Sequence, residues 1–150
     1  MREVSEPYHP RLAPEANITD VLERQARERP DAALFAVPEG EGGWRDVTAA
    51  QARDRVAEFA RGLMAAGIGP GDRVGLMAAT RLEWTLVDFA IWYAGAVTVP
   101  IYETSSASQV AWILEDSGVR AVVADTAERA KTVRDAVHRE GLDALVGLWT

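Results

Sequence analysis

The chain has 150 residues, a formal net charge of −7 and no cysteine. The missing thiols exclude disulfides and cysteine-ligated metals, and the acidic balance lacks the electrostatic footprint of a nucleic-acid binder. A chain of this length can bury roughly 70% of its unfolded surface as one domain.

Residues 1–16 are rich in proline and polar side chains and read as an N-terminal arm. They lack the apolar core of a secretory signal, so a cytoplasmic protein is expected. Asn17 or Thr19 then caps a helix that Pro30 stops. Ala33 to Val37 and Trp44 to Val47 flank a Glu-Gly-Glu-Gly-Gly turn, which predicts a hairpin. Thr48 and Gln51 form a capping box for a helix that Gly67 and Pro70 close.

Arg73 to Ala78 is a short apolar run entered by a Gly-Pro-Gly-Asp turn, the pattern of a buried strand. Thr80 and Glu83 are spaced as a second capping box, and the helix they open runs to Ala94, with Gly95 as its exit. Its apolar residues cover more than half the circumference, leaving Arg81, Thr85 and Asp88 as a narrow polar stripe. Such a helix touches protein on more than one side, so Phe89 and Ile91 are both expected to be nearly fully buried. The longest uncharged run, Phe89 to Tyr102, has 14 residues, too few for a membrane span, which needs ~18.

Val97 to Ile101 is a β-branched strand, and Ser106 with Gln109 caps the next helix, ended by Gly118. Val119 to Ala124, a charged helix over 126–140 and a strand over 144–149 complete the pattern. Strands near Val74, Val97, Ala121 and Leu145, separated by helices, predict an α/β fold: a parallel sheet with flanking helices plus a short antiparallel hairpin. Ending at a strand suggests an incomplete domain.

Most chemical motifs are missing. Gly67 to Gly71 precedes a strand, whereas a dinucleotide loop follows one. No Gly-Lys-Ser/Thr or Gly-x-Ser-x-Gly sequence occurs, and His9 and His138 stand far apart, so no metal ligand set is assigned. Asp88 reads either as part of the polar stripe or as a buried acid with a shifted pKa. The loop Tyr102-Glu103-Thr104-Ser105-Ser106 follows a strand and enters a helix. Its hydroxyls and amides suit an anion there, and equally suit ordinary capping.

Three stretches carry a resemblance: Gly71-Asp72-Arg73-Val74, Arg81-Leu82-Glu83-Trp84, and Val99-Pro100-Ile101-Tyr102-Glu103-Thr104-Ser105-Ser106. From Asn17 to about Asp125 the chain resembles the N-terminal subdomain of adenylate-forming enzymes, specifically bacterial long-chain fatty-acid–CoA ligases. The resemblance implies that ATP and Mg²⁺ convert a fatty acid to its acyl-adenylate, which coenzyme A then takes as a thioester. The family's phosphate loop, adenine contacts and catalytic lysine would lie beyond Thr150, so no catalytic residue is assigned here. Residues 17–150 would form an incomplete AMP-binding domain, inactive alone. A peptide-synthetase adenylation domain and a non-catalytic α/β scaffold are the competing readings.

The one substrate that the resemblance brings to this region is coenzyme A. Tyr102, Thr104 and Ser105 on the strand-end loop, with Arg129 and Lys131 on the following charged helix, would form a rim for its nucleotide end. Acidic Glu103, Asp125 and Glu128 stand close by in sequence, and ordinary solvated helix charges are the plainer alternative for the two cations. Peripheral membrane association and a homo-oligomer stay open.

Overall fold

The computed structural model describes residues 16–142 and the backbone of 145–148. The expected arm therefore lies outside the described residues, except Ala16. The elements in order are α1 (Ile18–Glu28), β1 (Ala33–Glu39), β2 (Gly43–Thr48), α2 (Ala49–Ala65), β3 (Arg73–Met77), α3 (Leu82–Tyr93), β4 (Val97–Ile101), α4 (Ala107–Ser117), β5 (Ala121–Ala124), α5 (Ala127–Glu140) and β6 (Leu145–Leu148). β1 and β2 form an antiparallel hairpin. The other four strands make one sheet in the order β4-β3-β5-β6, every neighbouring pair parallel. Val74 stands opposite Thr98 on one side and Ala121 on the other.

Alternation along the strands sends side chains to opposite faces. Val74, Leu76, Ala121 and Val123 pack with Val87 and Ile91 of α3. Met77, Ile101 and Val122 pack with Val110 and Leu114 of α4 and Val133 of α5. The sheet is thus covered on both sides, as an all-parallel sheet requires. A third layer lies outside α3, where Leu22 of α1, Val47 of β2, and Ala52, Val56 and Ala60 of α2 bury Leu86 and Ala90. This explains the wide apolar arc of α3: one side meets the sheet, the other meets α1 and α2.

Two expectations are corrected. Ile91 is fully buried, but Phe89 is only half-buried. The outer layer does not close over it, leaving a groove lined by Val21, Leu34, Phe35 and Phe89. The Thr80 capping box does not form. Arg81 occupies the cap position without a side-chain cap, and Glu83 pairs with the Arg81 guanidinium instead. A charged partner two residues away outcompetes the neutral Thr80 amide for the carboxylate.

The capping boxes read at Thr48 and Ser106 both form, and of the two candidates for α1 it is Asn17, not Thr19, that caps the helix, with Asp20 completing a box. Gly95 has φ of 75° and its carbonyl accepts from Gly71 N–H at 2.9 Å, joining the turns that precede β3 and β4. A Cβ there would sit 3.2 Å from Pro70, so both the backbone sign and the space demand glycine.

Candidate functional site

β3 and β5 are neighbours in the sheet, yet β3 leads into α3 on one face and β5 into α5 on the other. Where adjacent strands feed opposite faces, a crevice opens beyond their carboxyl ends, and open α/β sheets place ligands there. In this chain the crevice is bridged from within. Asp125, next after β5, accepts from the Ala79 N–H beyond β3 at 3.1 Å. Arg129, one turn into α5, donates from Nη1 to both Asp125 oxygens at 2.6 and 2.8 Å. Its Nη2 donates to Glu103 Oε2 at 2.8 Å. One network therefore ties the carboxyl ends of β3, β4 and β5.

The electrostatics follow from depth. The Asp125 side chain is 6% exposed, that of Arg129 22% and that of Glu103 41%. Burial raises the Asp125 carboxyl, but the Arg129 guanidinium and the Ala79 amide outweigh it and hold the group below the usual carboxylate range. Asp125 is thus charged at neutral pH, and Arg129 is its counter-ion.

The structure distributes the expected rim residues unevenly. Tyr102 is 84% exposed at the end of β4. Thr104 is exposed and Ser105 half-buried, with the Ser105 N–H donating to the Tyr102 carbonyl at 3.0 Å in a tight turn. Arg129 reaches this loop through Glu103. Lys131 instead pairs with Asp135 at 2.6 Å, one turn further along α5. Helix positions two apart do not share a face, so Lys131 stands apart from the Arg129 network.

Sequence reasoning missed the central role of Asp125. The i, i+4 spacing of Asp125 and Arg129 was a usable signal. The Ala79 amide, 46 positions away, had none. Asp88 is half-buried, and burial pushes its carboxyl up, opposed by the Thr98 hydroxyl beside it. Thr98 Oγ1 makes no bond of normal geometry among the described residues, so burial sets the direction. Also among the described residues, no group of three or more His, Asp or Glu stands where it could hold a metal, and no helix is long and apolar enough to cross a membrane.

The strand order, the helices on both faces and a crevice at the point where the winding reverses define a doubly wound α/β domain. The N-terminal subdomain of Klebsiella oxytoca NpsA has this fold, with a TM-score of 0.71 at 19% identity over 87% of this chain and 30% of that one. The chain belongs to the AMP-binding enzyme family, whose pattern matches residues 22–147. It is 42% identical over 135 residues to the long-chain-fatty-acid–CoA ligase FadD15 of Mycobacterium bovis, covering 90% of this chain and 22% of that protein. A fatty acyl CoA synthetase structure from Mycobacterium tuberculosis matches with a TM-score of 0.74 at 30% identity, over 89% of this chain and 26% of that one. The chain thus spans about a fifth of the length of the ligase it matches.

Proposed function

We propose that residues 17–150 are the first part of the AMP-binding domain of a long-chain fatty-acid–CoA ligase. The whole protein would join a fatty acid to AMP from ATP, release pyrophosphate, and pass the acyl group to coenzyme A. The identity to FadD15, 42% over nine-tenths of the chain, is the observation that carries this reading. Phosphate-loop and lysine chemistry would come from residues after Thr150, with Mg²⁺ entering as the partner of ATP. A reaction using ATP and coenzyme A suits the cytoplasm.

Within this chain, the proposal gives Tyr102, Thr104, Ser105 and Arg129 to the rim that meets coenzyme A, and leaves out Lys131, which pairs with Asp135 on another face of α5. The position of the loop at the carboxyl edge of the sheet supports it, as does the reach of Arg129 to that loop. What this chain's residues do is hold and orient. Asp125 fixes Arg129, Arg129 fixes the loop, and the loop presents Tyr102 to solvent.

The test compares the ligase carrying this chain with the 150-residue chain alone. The ligase is expected to release pyrophosphate only when a long-chain fatty acid is present, and the isolated chain to release none. Pyrophosphate driven by an amino acid instead would move the protein to the peptide-synthetase group. In the ligase, Arg129→Ala is expected to raise KM for coenzyme A about tenfold, about 1.4 kcal/mol, with KM for ATP and fatty acid unchanged, and Lys131→Ala to leave all three unchanged. An unchanged coenzyme A dependence would remove the rim from the proposal.

A further inference from the structure

We infer that Glu103 is a built-in competitor for the anion that Arg129 would otherwise hold, so that the rim is gated by its own loop. The inference rests on the rim reading above and adds its regulation. The two carboxylates on Arg129 are not equivalent. Asp125 is 6% exposed, accepts two bonds from Arg129 Nη1 and is anchored by a third from the Ala79 amide. It belongs to the framework. Glu103 is 41% exposed, lies on the loop after β4 and meets only the outward Nη2. It can swing into solvent without breaking any bond of the sheet.

The three groups carry one positive and two negative charges, so the cluster repels an anion while Glu103 is in place. With Glu103 withdrawn, the outward edge of the guanidinium is free. A phosphate oxygen is an acceptor of the same kind as a carboxylate oxygen, and a phosphate monoester carries more charge. The nucleotide phosphate of coenzyme A would therefore take the Glu103 position at Nη2. Displacing Glu103 releases the tie between the Tyr102–Ser106 loop and α5, because the Ser105–Tyr102 turn bond lies within the loop itself. Ion pairs at this exposure are weak, so the gate opens for a ligand of ordinary affinity.

The experiment is a double-mutant cycle in the ligase carrying this chain, read by KM for coenzyme A and by calorimetric titration with coenzyme A. Glu103→Gln is expected to lower KM and Kd for coenzyme A about threefold, with KM for ATP and fatty acid unchanged. The same substitution in an Arg129→Gln background is expected to give no gain, because the competitor acts through Arg129. An unchanged or raised KM in Glu103→Gln overturns the inference. So does an equal gain in both backgrounds, which would mean a general field effect of one fewer negative charge. If Arg129→Gln alone leaves coenzyme A dependence at the wild-type level, the rim reading itself fails and the competitor fails with it. A clear Arg129 effect without a Glu103 effect sinks the competitor alone. Where Arg129→Gln does not fold, Arg129→Met, which keeps much of the side-chain volume without the charge, provides the second background.

Discussion

An aspartate–arginine couple sits at each end of the central β3–β5 pair, and the two couples differ in depth. At the amino end, Asp72 accepts from the Gly69 N–H at 2.8 Å and from Arg120 Nη1 at 2.7 Å, and Arg120 also donates to the Gly67 carbonyl at 3.2 Å. Here the aspartate is 21% and the arginine 57% exposed. At the carboxyl end the corresponding values are 6% and 22%. The turn amide of Gly69 is the main cause that holds the Asp72 carboxyl below its usual range, with Arg120 adding to it. At Asp125 burial works against the charge, and the arginine has to overcome it. The same pair of residues is an accessory to a turn at one end and a condition for the charge at the other.

The largest effect should fall at the buried couple. Asp125→Ala leaves the Ala79 amide and the Nη1 edge of Arg129 without partners, with Glu103 still on Nη2, and is expected to cost about 2–3 kcal/mol in a urea titration. A cost below about 1 kcal/mol would erase the distinction between the two ends. An acid titration sharpens it. Asp125 has a folded pKa lower than its unfolded value of about 3.9, so it contributes stability that is complete above that value. The contribution is lost as pH falls through the lower folded value. Asp125→Asn is therefore expected to flatten the stability–pH curve below about pH 4, seen as a smaller Tm difference from wild type in acid than at pH 7. The smallest effect is expected at the exposed arginine. Arg120→Ala should change stability by about 0.5 kcal/mol or less, since Gly69 still serves Asp72. A loss equal to that of Asp125→Ala would show the two couples to be equivalent.

Local rules made most of the fold legible. The capping boxes at Thr48 and Ser106 need only residues three apart, and both form. The parallel strands followed from apolar runs alternating with capped helices, and β3, β4, β5 and β6 are parallel. Where a local signal had a closer competitor, it failed, as Glu83 did in turning to Arg81 rather than Thr80. The half-exposure of Phe89 was not readable, because periodicity reports which residues want cover and not whether α1 and β1 reach far enough to supply it. The strand order was not readable either. Of the site, the loop after β4 and Arg129 were visible as chemistry, while the Asp125–Ala79 bridge depends on which strand lies beside which.

The placement of β3 has a kinetic consequence. β3 is flanked by β4, which follows it directly, and by β5, which comes only after β4 and α4 have been made. As the chain leaves the ribosome, β3 and β4 can pair early around α3, while the second edge of β3 stays open until β5 emerges. An open edge on a strand whose side chains are buried from Val74 to Met77 is a template for the wrong partner. Closing it requires a contact between segments far apart in sequence, the slow kind of step. Productive folding of this region therefore turns on how quickly β5 reaches β3, and the Asp125 clamp can form only after that meeting.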